Sequence, residues 1–433
     1  MNLDVDIIIG AGITGLSYAY FSKRNFMLFE KEKRVGGLCK SIKDNGFTFD
    51  YSGHFIHIKN KKIKKFIEDI LGKKLLTVQR NSVIYFNGKI IPFPFQANLY
   101  YLSDKEKREC IEGIKNRKNV KIYDNMPFID WCNAMFGKGI TKYFMAPYNR
   151  KLWNYNLKKM TAAWTAPFVP KPTVKSIEKS VYKKNNDSYG YNSCFYYPQT
   201  GGCGSLTESL YKKVKKFVVT DTKVTKINYV DKKIYADGIY YGYTNLISTQ
   251  PLNLLLKSIK NLPKRIEKLV KNLKFTSVRC INLGIKYKKN ISDIIKDKHW
   301  IYIPNEKYPF YRVGVYSNVC RKSAPKNCYS LYVEFSGKNN VYDNCEDTIQ
   351  YLKNLKIINS DDEIITANII DMPYAYIIFN KERKKTLNII NKFLTENNIY
   401  CVGRYGAWEY SFIEKNIIDA QNLAKKLEII SKK

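Results

Sequence analysis

The sequence predicts an α/β protein: a Rossmann-like nucleotide-binding domain, discontinuous in sequence, with an inserted helical domain and an antiparallel β-sheet domain that forms the substrate side. Three observations predict it. VDIII (5–9), GAGITG (10–15), LSYAYFSKR and NFMLFE read as strand, glycine turn, helix and strand, a βαβ unit. Residues 278–335 alternate apolar and polar side chains in several short runs (VRCINLGIKY, HWIYIP, YRVGVYS, YSLYVEFS). YCVGRYG and the helix-like NIIDAQNLAKKLEII close the sequence without a domain of their own, so they are expected to complete the first sheet.

Taken in order, the elements have local causes. After the βαβ unit, LCKSIKDNGFTFDYSGH alternates around Asp44-Asn45-Gly46 and reads as a hairpin. From about 60 to 190 the pattern turns mainly helical. LSDKEKRECIEGIKNRK starts on Ser103 with Glu106 three residues later, a capping-box pattern. Pro167, Pro170 and Pro172 end the helical stretch, and NNDSYGYNS (185–193) reads as a loop or mobile link. Residues 217–249 read as short strands, and IQYLKNL near 349–355 as a helix.

Gly10-Ala11-Gly12-Ile13-Thr14-Gly15 is a GxGxxG motif in its full context, with Glu30 twenty residues past Gly10 at the end of the next strand. Gly10 permits the tight turn, Gly12 lets backbone N–H groups approach a pyrophosphate, and Gly15 lets helix and strand pack closely. The helix N-terminus favours the negative charge, and Glu30 can accept from ribose hydroxyls.

Composition narrows the function class. The 433 residues carry a formal charge of +36, but the 74 Lys and Arg are spread along the chain with no nucleic-acid motif among them. The charge favours anionic ligands and at most peripheral contact with acidic membranes. Ten cysteines without a CxxC pair, and three histidines, argue against a zinc site and for reduced thiols in a cytoplasmic protein. Asp4 and Asp6 interrupt the N-terminal apolar run, so no signal peptide is expected, and no 18-residue apolar stretch suggests a membrane span. Oligomerisation is left open.

The second glycine pair, Gly36-Gly37 in KEKRVGGLCKS, resembles the fingerprint of the FAD-binding flavoproteins that include amine oxidases, protoporphyrinogen oxidase and UDP-galactopyranose mutase. Further segments, in order along almost the whole chain, resemble the mutase family in its eukaryotic-type branch. They are FDYSGHFI, PFPFQANL (92–99), FMAPYNRKLW with KKMTAAW, YYPQTGGCGSL, WIYIPNEKYPFYR (300–312) and GRYGAWEY (403–410). The resemblance implies bounds of 1–75, 195–255 and 390–433 for the FAD-binding domain. It implies 95–190 for the helical cleft domain, and 76–94 with 256–389 for the antiparallel-sheet domain.

The resemblance also implies roles. Besides the GxGxxG residues and Glu30, the cofactor would meet Lys31, Gly36, Gly37 and Leu38, the backbone of Val224 at the adenine, and Gly53-His54 beside the flavin ring. Arg404 would lie against FAD, and Asn416 would offer backbone to the flavin. Arg312 would clamp the substrate diphosphate, with phenolic donors from Tyr302, Tyr376 and Tyr410. Tyr148, Asn149 and Trp153 would line the substrate cleft. His54 and Arg312 are the catalytic candidates. The activity implied is interconversion of UDP-galactopyranose and UDP-galactofuranose by covalent catalysis through reduced-flavin N5, with NAD(P)H as external reductant, in surface glycan synthesis. Alone, any one of 35 tyrosines reads as packing. An FAD-dependent oxidoreductase of the amine oxidase or protoporphyrinogen oxidase type stays open, because the family's arginine before PYN is Ala146 here. Losing a charge-assisted phosphate contact would cost ~1.5–3 kcal/mol. Arg150 or Lys151, on the next helical turn, could restore the charge.

Overall fold

The computed structural model describes residues 5–118, 120–185, 193–337 and 344–431. Residues 186–192 of the expected link NNDSYGYNS lie outside them.

The expected α/β class holds. Five parallel strands form the first sheet in the order Ile399–Cys401, Leu246–Ser248, Val5–Ile9, Asn25–Phe29 and Val218–Val219. The late strand therefore joins the first domain, as its lack of another home suggested. VDIII is apolar on both faces because both are covered. Ile8 packs with Leu16, Tyr18, Ile417 and Ala424 of the helices Ile13–Phe21 and Ile413–Ser431. Ile7 and Ile9 pack on the opposite face with Ile227, Leu252, Ile390 and Phe393. Asp6 sits fully buried in this strand because its carboxylate accepts from Tyr18 Oη (3.0 Å), Arg24 Nε (3.0 Å) and Asn245 Nδ2 (2.8 Å).

The second large sheet has seven strands, in the order Glu363–Ile377, Phe275–Lys286, Cys328–Ser336, Arg312–Val315, Trp300–Tyr302, Ser82–Phe86 and Lys89–Pro92. All pairs are antiparallel except Trp300–Tyr302 with Ser82–Phe86. One face builds a separate apolar core around Ile281, Ile301, Val313, Val333 and Leu352. The other face looks onto the cavity described below.

Residues 76–92 hold three strands, against the mainly helical pattern of 60–190 but inside the 76–94 bounds expected for the antiparallel-sheet domain, and two of them join the seven-stranded sheet. Asn87-Gly88, both with positive φ (48° and 78°), supply the tight hairpin turn that a helical pattern cannot accommodate. The capping box at Ser103 and Glu106 is present, with Glu106 Oε2 accepting from Ser103 N at 2.8 Å.

The helical insertion rests on a close crossing of Asp104–Lys115 with Phe128–Ile140. A Cβ on Gly139 would lie 2.3 Å from the Glu109 carbonyl oxygen and 2.6 Å from Cys110 N. Gly139→Ala should therefore force the helices apart and destabilise the protein by ~1–3 kcal/mol. A thermal melt should show a lower Tm, and an unchanged Tm would contradict this crossing.

Candidate functional site

A cavity of about 970 Å³ runs from the glycine turn of the first sheet to the inner face of the seven-stranded sheet. It lies at the upper end of the ~300–1,000 Å³ usual for small-molecule sites. Its first half is the nucleotide motif in three dimensions. Gly36 N donates to Ala11 O at 2.8 Å, and Gly12 faces Gly37, where an added Cβ on Gly37 would lie 3.3 Å from Gly12 Cα. The two glycine segments thus form one cradle. No side chain caps the helix at Gly12, which leaves its N-terminus to a ligand. Glu30 is buried, and its oxygens accept from Ala11 N (2.7 Å) and Glu32 N (3.0 Å). The carboxylate orders the turn and keeps lone pairs for a ribose. Gly15 is off the cavity wall. A Cβ there would sit 1.9 Å from Gly10 O, so it is the close-packing glycine of the motif.

Gly10, Ile13, Thr14, Lys31, Leu38, Gly53, His54, Val224, Arg404 and Asn416 all line the cavity. Two of them also have protein partners. The Asn416 N–H donates to Phe412 O at 3.1 Å, in the first turn of its helix. Arg404 donates to Ser411 O (2.7 Å) and Ala375 O (2.8 Å) and lies over the rings of Tyr376, Tyr405 and Tyr410. It is the post around which these tyrosines are arranged.

The second half is set by strand register. Tyr302, Arg312 and Glu334 are direct cross-strand neighbours in one row. Arg312 forks onto the fully buried Glu334 through Nε and through Nη2 (2.8 Å), and Ser52 Oγ donates to the same carboxylate. Tyr148 meets Tyr302 edge-on at 5.2 Å, and Tyr376 lies 5.8 Å from Tyr410. Sequence reasoning missed Glu334, Ser52 and Tyr311. Pairing of distant strands brings Glu334 to the site, whereas Ser52 and Tyr311 adjoin Gly53 and Arg312 in the chain.

Trp153 is fully buried and off the cavity wall, behind Tyr376 (5.5 Å) and Tyr410 (6.0 Å). Asn149 lines the cavity, but its amide is spent on the helix. Nδ2 donates to Met145 O (2.8 Å), and Oδ1 accepts from Trp153 Nε1 (3.0 Å). Ala146 is packed in the core, away from the cavity wall. The charge expected from Arg150 or Lys151 is also absent from the cavity wall. Arg150 Nε pairs with Glu306 at 3.0 Å, and Lys151 Nζ donates to the carbonyls of Ile303 (2.7 Å) and Asn305 (2.9 Å). Both pin their helix to the loop after Tyr302.

Several buried polar atoms on the wall have no protein partner among the described residues: His54 Nδ1, Gln96 Oε1, Trp164 Nε1, Gln250 Nε2, Trp300 Nε1 and Tyr311 Oη. Such atoms are uncommon in native interiors and fit a large polar guest. Together with the paired glycine cradle and the bare helix terminus they suit FAD.

Burial, and then the Arg404 charge, push the His54 imidazole down to about 4. His54 is thus neutral at ordinary pH and suited to shape and hydrogen bonding. The unfolded chain takes up a proton at this position below pH ~6.5 while the folded chain does not, so stability falls as pH drops from ~6.5 to 4. His54→Asn should remove on the order of 3 kcal/mol of that fall. Denaturant unfolding of the cofactor-free protein at both ends of the window tests this, and identical slopes in variant and wild type would refute it.

Comparison with known proteins follows the same lines. A family model described as an NAD(P)-binding Rossmann-like domain matches residues 8–70. Protoporphyrinogen oxidase of Dictyostelium discoideum is 24% identical over 394 residues, covering 71% of each chain. A solved structure of reduced UDP-galactopyranose mutase superposes with a TM-score of 0.90 at 25% identity, covering 99% of this chain and 96% of that one. A protein from Exiguobacterium sp. 255-15 assigned as a protoporphyrinogen oxidase superposes with a TM-score of 0.77 at 17% identity, over 99% of both chains. Among the described residues no helix is long and apolar enough to cross a membrane. These likenesses support the FAD-binding oxidoreductase superfamily for this chain, which has the fold that FAD-dependent mutases and oxidases share.

Proposed function

We propose that this chain is an FAD-dependent mutase that interconverts the pyranose and furanose forms of a UDP-sugar, such as UDP-galactose. The observation that supports it most is the Tyr302–Arg312–Glu334 row on the cavity wall. Glu334 engages Nε and Nη2 of Arg312, so the guanidinium is held in one orientation with Nη1 left for a ligand. A fixed planar fork among phenols suits phosphate oxygens. The likeness to reduced UDP-galactopyranose mutase over nearly the whole chain supports the same reading.

Reduced FAD, when bound, supplies the nucleophile for exchange at the anomeric carbon. The chain's own residues do the rest. Gly12, Gly36, Gly37 and Glu30 hold the cofactor's diphosphate and ribose. Arg312 holds the substrate diphosphate, with Tyr302, Tyr376 and Tyr410 as donors. Phe93, Phe144, Tyr148 and Trp300 on the wall exclude water from the sugar. In this reading NAD(P)H reduces the cofactor, and the protein acts in the cytoplasm, supplying surface glycan synthesis.

A second reading, an FAD-dependent oxidoreductase, is favoured by the core placement of Ala146 and by the protoporphyrinogen oxidase likeness. One experiment separates the two. Dithionite-reduced protein should convert UDP-galactofuranose to UDP-galactopyranose, measured by chromatography, and oxidised protein should not. No conversion, with oxygen uptake on an amine or a porphyrinogen, would select the oxidoreductase. Arg312→Lys keeps a cation for Glu334 but loses the fork. It should weaken UDP binding by ~10-fold or more and leave uridine binding unchanged.

A further inference from the structure

Tyr311 precedes Arg312 and is fully buried. Its ring is edge-on to Tyr148 at 6.3 Å, and the Arg312 guanidinium carbon lies 5.7 Å from its centroid. Its backbone N–H donates to Glu334 O at 2.9 Å, so the main chain at this position is fixed by the same strand pair that fixes Arg312. The residue lines the cavity, yet its hydroxyl has no partner in the protein among the described residues. A buried O–H left unmade is costly, so the position asks for a ligand acceptor.

The phosphate region lacks a second cation from the PYN helix. Position 146 is an alanine in the core, Arg150 is held by Glu306, and Lys151 by two carbonyls. We propose that the Tyr311 hydroxyl is the additional diphosphate donor of this site, working beside Arg312 where a guanidinium from the PYN helix is missing. The inference rests on the diphosphate reading of the cavity given above. Burial, together with nearby Glu334, raises the Tyr311 phenol well above its ordinary range. It therefore stays protonated and can only donate to an anion. Recognition of the diphosphate by one cation and neutral hydroxyls also implies a shallower dependence of binding on salt than two cations would give.

The test is Tyr311→Phe, which removes one oxygen and keeps the ring. Binding of UDP, inorganic pyrophosphate and uridine is measured by calorimetry on the FAD-loaded protein, with flavin content and ligand-free Tm as controls. The variant should bind UDP and pyrophosphate ~10-fold or more weakly. Uridine affinity and flavin content should be unchanged, and Tm unchanged or raised, because the lost hydroxyl had no protein partner. Unchanged UDP affinity, an equal loss for uridine, or a lowered Tm would each overturn the assignment. Wild-type protein that binds UDP and pyrophosphate but converts no sugar would sink the mutase reading and leave Tyr311 standing. A variant that binds UDP normally beside an active wild type would do the reverse. Failure of the wild type to bind either anion would remove both.

Discussion

The Glu334 carboxylate has no exposure to solvent, and a buried charge of this kind is tolerable only when paired and hydrogen-bonded. Arg312 and Ser52 satisfy it. Arg312 can do so only if the strands Arg312–Val315 and Cys328–Ser336 hold one register, and Ser52 reaches it from the segment after Phe47–Asp50. A slip of one residue would turn Arg312 into the apolar core around Val313 and Val333 and leave the carboxylate unpaired. The ion pair and the sheet register therefore enforce each other. Tyr302, Arg312 and the main chain of Tyr311 inherit their positions from that mutual constraint.

The same logic explains the PYN helix. Phe128–Trp153 runs through a kink at Gly137 and a π-turn at Thr141–Met145 before the last helical segment. Asn149 binds Met145 O in that turn and holds the Trp153 indole in place. Arg150 and Lys151 then fasten the segment to the loop that follows Tyr302. The polar residues of this stretch serve to position aromatic rings. The cavity meets Tyr148 and Asn149 of this stretch, and the rings of Tyr376 and Tyr410 backed by Trp153.

Signals in the sequence are legible where the physics is local. GAGITG with Glu30, the Ser103 capping box, and the orphaned strand of YCVGRYG each specify their own geometry within a few residues or by elimination. The hairpin at Asn87-Gly88 is equally local. Its surroundings have a mainly helical pattern, and it is the resemblance that puts 76–94 with the antiparallel sheet. Contacts between distant strands were not legible. Nothing in YRVGVYS or YSLYVEFS states that Arg312 opposes Glu334, because register is decided by two faces burying their side chains at once. Side-chain direction was equally hidden. Trp153 sits in a segment resembling a cleft wall, yet its place behind the wall depends on where Asn149 points.

The order of the first sheet has a consequence for how the molecule comes into being. Val5–Ile9 lies beside Leu246–Ser248, which in turn needs Ile399–Cys401 on its far side. At ~5–20 residues per second a ribosome takes roughly 20–80 s to make that span. Val5–Ile9 gains its second neighbour only when Leu246–Ser248 is made, and that strand gains its outer neighbour only with Ile399–Cys401. The helix Ile413–Ser431, which covers Ile13–Phe21 and lines the cavity through Ile413 and Asn416, emerges after all five of these strands. The glycine cradle is thus synthesised well before the helix that closes over it, and the cavity wall is incomplete until that helix has folded back onto the first sheet.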